Sequence, residues 1–370
     1  MKTRTAKFLF FLIFFFLSFT VGAGATQESI QDFSESDSLW ELIPEEADPE
    51  GILNLFEKRN GEGFTSSLFQ TIIGFFSLGI SNGFQMFCTL CGLILVSALY
   101  KNIKVSFHLQ GMESAFDFLL FLGVAVTAFY HLKGGIDLVI SSISSVHSFF
   151  IASLPITTIL MTMMGAGGSA ATLSSSINFV FGLVSAVIDQ YLVPLMNTLF
   201  CFSMIDGVSD CALGGLISFV KKSVKIICVL FFTLVSAILS LQNVLASAAD
   251  SLAMRSVRFA AGNFIPVVGS LVGENAKTLS ASFQVVKSEC GVLCLLVLLF
   301  IILKPILFIV VQKTFLSFAG MIGEILGESK CKGLFTSLSS LLDILMALMI
   351  SEGCYLIFYI TLFLNHRGSF

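Results

Sequence analysis

Long apolar runs, separated by short polar stretches, dominate the chain from residue 64 onward. A transmembrane helix needs about 20 consecutive, mostly apolar residues, so runs of this length predict helices that cross a membrane. The pattern predicts six spans, at residues 74–99, 115–131, 177–200, 226–246, 290–311 and 343–363. The predicted fold class is therefore an all-α polytopic membrane protein.

Two further apolar stretches, at residues 138–165 and 249–275, fit this pattern less well. The second stretch contains Arg255 and Arg258, and charged side chains are costly on a helix that lipid surrounds. We therefore expect both stretches to be interfacial or re-entrant helical segments. The apolar pattern leaves open whether either of them crosses the bilayer.

The first 25 residues have the three-part pattern of a secretory signal peptide. Basic residues open the chain, an apolar run covers residues 8–19, and the small residues Ala23, Gly24 and Ala25 follow. This pattern predicts cleavage after Ala25. An uncleaved anchor helix is the alternative, but the apolar run is short for a span of about 20 residues.

Residues 26–63 carry eleven acidic side chains and only two basic ones. A segment of this size is too short to bury a hydrophobic core. We expect it to form a flexible acidic arm on the exoplasmic side of the membrane. Residues 64–370 then form the helical membrane domain.

The orientation follows from the positions of the basic residues, because Lys and Arg accumulate in short cytoplasmic loops. With the mature N-terminus outside, the three inner loops carry Lys101 and Lys104; Lys221, Lys222 and Lys225; and Lys313, Lys330 and Lys332. The outer segments carry fewer basic residues for their length. The chain is therefore expected to be a multi-pass protein of the cell membrane with both termini exoplasmic.

The composition agrees with a lipid environment. Hydrophobic residues make up 56% of the chain and charged residues 12%, whereas a soluble domain has about 25% charged residues. The net charge is only −4, and the chain has no basic patch with interleaved aromatic residues. Nucleic acid is therefore not an expected partner, and the lipid bilayer is.

The prolines suggest an internal repeat. Pro155 and Pro194 are separated by 39 residues, as are Pro266 and Pro305, and a shift of 111 residues superimposes the two pairs. The same shift superimposes pairs of predicted spans. We therefore expect a parallel duplication with units at about 103–210 and 214–321, followed by the final span at 343–363. Transport proteins are often built from duplicated units, but duplicated scaffolds also exist.

The sequence gives little support for catalysis. Cys88 and Cys91 form a CxxC motif, but it lies inside a predicted span, where cysteine behaves as a small hydrophobic residue. The four histidines, His108, His131, His147 and His366, lie in separate segments without metal-ligand spacing. No phosphate-binding loop and no catalytic triad pattern is present. We expect a protein that is not an enzyme and that has no cofactor or metal.

Ionisable residues and prolines inside the predicted spans are the candidate functional positions. Asp189 lies five residues before Pro194, Lys304 directly precedes Pro305, and Glu352 lies within the last span. A functional interpretation places these groups along a polar path or a helix interface. For Lys304, extension of its amine to the membrane surface is the favoured alternative. For Asp189 and Glu352 both interpretations remain open.

The stretch from Ala248 to Gly269 reads AADSLAMRSVRFAAGNFIPVVG and resembles the signature of the stage III sporulation protein AE family. Arg255, Arg258, Asn263 and Pro266 lie in it and join the candidate positions. The predicted signal peptide, the chain length, the acidic arm and the Lys-Pro pair of the fifth span also resemble that family. The arm at 26–63 is the part that matches the family least well.

The resemblance implies a mother-cell membrane component of endospore-forming bacteria. Its partners would be the other membrane proteins of the same stage III sporulation operon and a partner in the forespore membrane. Together they would form a channel-like, secretion-like complex across the intermembrane space, which keeps the forespore developing after engulfment. The family has no established catalytic residues, so the resemblance assigns none here.

Two functional hypotheses follow. In the first, the spans form a conduit, so the chain acts as a pore or permease subunit. In the second, the chain is a non-conducting membrane scaffold that assembles the other channel proteins. An ion-coupled transporter and an intramembrane hydrolase are weaker alternatives. The transported cargo and the stoichiometry are not readable from the sequence.

Overall fold

The computed structural model describes Ile52 and residues 64–107, 113–164, 166–208, 214–264 and 269–365, without some of the side chains in these ranges. All secondary structure in these ranges is helical. The elements are α1 (Phe64–Phe107), α2 (Glu113–Met163), α3 (Gly167–Val187), a π-helical turn (Ile188–Leu192), α4 (Val193–Val208), α5 (Gly214–Phe264), α6 (Gly269–Ile325) and α7 (Ser329–Asn365). The predicted signal peptide at 1–25 and nearly all of the arm at 26–63 lie outside the described residues.

Six segments of the described helices are long and apolar enough to cross a membrane, which confirms the predicted number. They are Phe69–Lys101, Phe116–Met163, Gly167–Leu199, Gly214–Gln242, Val286–Ile325 and Lys330–Thr361. Each predicted span overlaps one of them. Several helices are much longer than a bilayer requires: α2 has 51 residues, which corresponds to about 76 Å, against about 30 Å of hydrocarbon core.

The two apolar stretches at 138–165 and 249–275 are not separate elements where the structure describes them. Residues 138–163 continue α2 without a break, and Pro155 lies inside this helix. Residues 249–264 are the C-terminal part of α5, and residues 269–275 begin α6. The reason is that tertiary packing sustains a long helix across positions where local sequence suggests an interruption. The expected re-entrant segments are therefore not shown.

The expected duplication at an offset of 111 residues is not shown either. Helices α2 and α5 both have 51 residues, but they begin 101 residues apart, at Glu113 and Gly214. The prolines also differ in context, because Pro194 follows a π-helical turn whereas Pro305 lies inside α6. Packing differs as well, since α3 lies against α2 and α5, whereas α6 packs mainly against α7, α1 and α2.

Helix α6 forms the centre of the bundle. Nearly every side chain from Cys290 to Ile306 is buried, and the candidate span in α6 is the most apolar of the six. The ring of Phe300 meets the ring of Phe75 from α1 edge-on, with centroids 6.0 Å apart. Helix α5 is the least buried span, so the most hydrophobic segment lies inside the protein and α5 lies at the periphery.

Two glycines of α1 allow this helix to approach α6 closely. A Cβ atom at Gly79 would lie 3.5 Å from Val311, and one at Gly83 would lie 2.6 Å from the ring of Phe315. Small residues four positions apart are a frequent contact surface between membrane helices. A methyl group at Gly83 would clash with the ring of Phe315 in its present position, so glycine at this position lets that ring pack directly on the backbone of α1.

The turn between α6 and α7 is fixed by backbone and side-chain hydrogen bonds. Gly327 has φ = 81°, a conformation that glycine adopts without steric cost, and the N–H of Glu328 donates to Gly323 O at 2.7 Å. The carboxylate of Glu328 accepts a hydrogen bond from Ser97 Oγ at 2.7 Å and lies 2.8 Å from Lys101 Nζ. Glu328 therefore ties the C-terminal part of α1 to this turn.

Candidate functional site

The site centres on Glu352, one of the positions singled out from the sequence. Glu352 lies in α7 with 2% of its surface exposed, and His147 lies in α2 with 7% exposed. His147 Nε2 is 2.8 Å from Glu352 Oε1. Ionisable groups inside membrane segments usually face the bundle interior and pair with one another. The structure places this pair in that arrangement.

Helix α3 supplies the third side of the site. The ring of Phe181 stacks on the imidazole of His147, with centroids 4.2 Å apart and planes inclined by 21°. Ser185 Oγ lies 3.4 Å from His147 Nδ1, which is long for a hydrogen bond. Phe181 and Ser185 are four residues apart and therefore share one helix face. They hold the imidazole plane between α2 and α3.

A cavity of about 490 Å³ borders the pair on the α2–α3 side. It is lined by Ile140, Ile143, Ser144, His147, Ser148, Ile151, Asn178, Phe181, Gly182, Ser185 and Ile188. Glu352 does not line the cavity, so His147 stands between the cavity and the buried carboxyl group. This arrangement can hold a proton on either side of the His147–Glu352 hydrogen bond, because imidazole and carboxylate both accept one.

The arrangement does not resemble a metal centre. Among the residues that the structure describes, no three His, Cys, Asp or Glu side chains come together as metal ligands would. The pair offers one imidazole nitrogen and one carboxylate oxygen that already contact each other. Its chemistry is that of a buried polar contact between α2 and α7.

The π-helical turn ahead of Pro194 lies close to the site along the chain. Ile188 is the last residue of the cavity wall and the first of the π-helical turn, and the N–H of Val193 donates to Ile188 O. Helix α4 begins at Val193, and Pro194, which is exposed, is its second residue. Asp189 lies in the π-helical turn, but its side chain is outside the description. A wider turn ahead of proline is a common way to accommodate the missing N–H.

The remaining predicted positions do not join this site in the described part of the chain. Lys304 is half-buried and Pro305 is buried, both in the middle of α6. Arg255, Arg258 and Asn263 lie in the C-terminal part of α5, with side chains outside the description, and Pro266 is not among the described residues. Among the predicted positions with described side chains, Glu352 alone makes a buried polar contact.

Sequence reasoning missed His147 and Ser185. The four histidines were expected to be isolated, yet His147 meets a carboxyl group 205 positions further along the chain. No local spacing encodes such a contact. The structure also pairs Asp343 of α7 with Lys313 of α6. A polar residue on the buried face of a predicted helix is the one signal that could have suggested these pairs.

The six spans and the buried polar contact among them define an integral, multi-pass membrane protein. The sequence profile of the family described as stage III sporulation protein AE matches residues 48–366. The chain belongs to this family, as its resemblance to the family predicted.

A curated relative is stage III sporulation protein AE of Bacillus subtilis (strain 168), which is 21% identical over 227 residues. The matched part is 61% of this chain and 57% of the relative, so it spans little more than half of the relative's length. No solved structure matches the chain. The comparisons therefore support a role in stage III of sporulation, and they name no residue of the site.

Proposed function

We propose that the chain is a pore or permease subunit of a channel complex between the mother cell and the forespore. In this proposal it resides in the mother-cell membrane, faces the intermembrane space, and acts after engulfment without catalysing a reaction. Its partners are the membrane proteins of the same stage III operon and a forespore membrane protein. A cleaved signal peptide places the acidic arm on the exoplasmic side.

The buried His147–Glu352 contact beside a cavity is the observation that carries this proposal. A buried ion pair contributes little net stability, and well-packed apolar residues often replace one at no cost. Stability alone is therefore a weak explanation for a polar pair between α2 and α7. Polar groups inside a membrane bundle are typical of proteins that move ions or polar solutes.

The scaffold hypothesis has a different observation in its favour. Helix α5 exposes large apolar side chains such as Phe219, Leu230 and Leu241, and it is the least buried candidate span. A surface of this kind suits contact with lipid or with another membrane subunit. A scaffold would need this surface, but it would not need polarity at His147 and Glu352.

Replacement of both partners by leucine separates the two hypotheses. His147→Leu combined with Glu352→Leu removes both groups of the pair together, so neither of the two is left facing an apolar replacement of the other. As a control, Lys313→Leu with Asp343→Leu removes a different polar pair, which joins α6 to α7 and is only partly buried. Both variants would replace the native gene in the sporulating host. The assays are the amount of protein in the membrane, forespore transcription after engulfment, and heat-resistant spores per cell.

The conduit hypothesis predicts that the His147–Glu352 double variant reaches the membrane in normal amount but fails to support forespore transcription. The Lys313–Asp343 control variant should support forespore transcription. Normal spore yield in both variants would refute the conduit. Loss of function together with loss of the protein from the membrane would show that the pair is needed for folding, which also contradicts the proposal.

A further inference from the structure

The cavity beside His147 has a mixed lining, in which polar side chains stand among isoleucine and phenylalanine side chains. Its α2 wall carries Ser144 and Ser148, four residues apart, and both are exposed. Its α3 wall carries Asn178, which is exposed, and Ser185. All of these residues lie inside the candidate spans Phe116–Met163 and Gly167–Leu199. Within α3 the amide nitrogen of Asn178 donates to Ser174 O at 3.1 Å, but hydroxyl and amide groups can make further hydrogen bonds, which water in the cavity would supply.

Gly182 opens the α3 wall of this cavity. A Cβ atom at Gly182 would meet no other atom within 4 Å, so close packing of the helices does not explain the glycine. The volume of about 490 Å³ is far above the ~10–15 Å³ that one water molecule needs. The site is therefore both polar enough and large enough to hold water.

We propose that the α2–α3 cavity is a hydrated binding site for small polar solutes, open to the aqueous phase and ending at His147. Water and uncharged solutes with hydroxyl or amide groups fit the serine, asparagine and imidazole side chains of its lining, and the isoleucine and phenylalanine side chains beside them would contact the apolar part of such a solute. Glu352 stays behind the imidazole and out of contact with the solute. This inference rests on the proposed conduit function, for which it names the class of solute and the point of entry.

Cysteine labelling tests the inference, because a thiol must be deprotonated in water to react with a charged methanethiosulfonate reagent. Asn178→Cys places a thiol in the cavity, whereas Phe179→Cys places one at the next position of α3, which is 53% exposed but does not line the cavity. Both are made in a chain whose nine native cysteines have been replaced and which still supports sporulation. Labelling is measured in intact and in permeabilised cells.

We expect the thiol at position 178 to react at least about tenfold faster than the thiol at 179, because only the former contacts water. Filling the cavity with Gly182→Leu should suppress this reaction. Gly134→Leu is the matched control: it also meets no atom within 4 Å, but it lies on α2 outside the cavity, and it should leave the reaction unchanged.

Three results would overturn the inference. Slow reaction of both thiols, while a lipid-permeant maleimide labels both, would show that lipid fills the groove. Fast reaction of both would show that this part of α3 lies outside the membrane. An unchanged rate at 178 with Gly182→Leu would show that the thiol reaches water by another route.

The labelling experiment tests the solute site and the sporulation assay tests the conduit, so either proposal can be refuted without the other. If labelling follows the expectation but Gly182→Leu cells form spores normally, the cavity is hydrated but the complex does not conduct through it. In that case the conduit proposal is refuted and the solute site stands.

Discussion

The close contact between α1 and α6 gives a quantitative prediction at Gly83. In Gly83→Ala, the new methyl group would lie 2.6 Å from Phe315 Cδ2 and 3.1 Å from Val311 Cγ1, so either the side chains or the helices must move. Overpacking of this kind costs about 1–3 kcal/mol. Alanine in place of glycine also stabilises a helix by up to about 1 kcal/mol. The net expectation is a loss of up to about 2 kcal/mol.

Gly92→Ala is the internal control for this prediction. Gly92 lies in the same helix and is exposed, and a Cβ atom there meets nothing within 4 Å. It should show the gain in helix propensity alone. The two variants should therefore differ in free energy of unfolding by about 1–3 kcal/mol, which is the cost of overpacking.

The assay is equilibrium unfolding by sodium dodecyl sulfate in mixed micelles, read out by pulse proteolysis. A second change, Phe315→Leu, removes the ring that meets the new methyl group, so adding it to Gly83→Ala should cost less than it costs alone. This comparison is a double-mutant cycle. Equal stability of Gly83→Ala and Gly92→Ala would refute close packing of α1 on α6. A strictly additive double variant would refute the role of the Phe315 ring.

Three further predictions test other parts of the structure. Gly327→Ala forces alanine into a left-handed conformation and should cost about 1–2 kcal/mol of unfolding free energy. Gly333→Ala in α7, with no neighbour within 4 Å, is the control and should cost nothing. Equal effects of the two changes would contradict the left-handed conformation of the turn at Gly327. Lys313→Glu should lower the unfolding free energy by about 1 kcal/mol, because it places a carboxylate beside Asp343. Adding Asp343→Lys should restore the unfolding free energy. No recovery in the double variant would argue against the contact between positions 313 and 343. N-terminal sequencing of the membrane-bound protein should begin at Thr26, and a sequence beginning at Met1 would refute cleavage.

The number and positions of the spans were predictable because a bilayer imposes a minimum length of apolar helix. That constraint is local and can be read from consecutive residues. The lengths of the helices were not predictable in the same way. Pro155 suggested an interruption, but α2 continues past it, because contacts with neighbouring helices outweigh the loss of one backbone hydrogen bond.

The candidate site was predictable only in part. Glu352 was found because a carboxylate in an apolar span is unfavourable and needs an explanation. Its partner His147 was not found, because which faces of α2 and α7 meet depends on the packing of the whole bundle. For the same reason the proline register suggested a duplication, whereas the equal lengths of α2 and α5 follow a different offset. Patterns along the chain do not encode the rotation of a helix about its axis.

The central position of α6 has a consequence for biosynthesis. Helix α1 packs mainly against α6, whose candidate span begins at Val286, late in the chain. During translation α1 therefore enters the membrane with its glycine-lined contact face unpaired. This face stays open to lipid, to chaperones or to other subunits until the ribosome has produced the last quarter of the protein. A chain truncated before α6 is therefore expected to be recognised and degraded by membrane proteases rather than to form a smaller stable bundle.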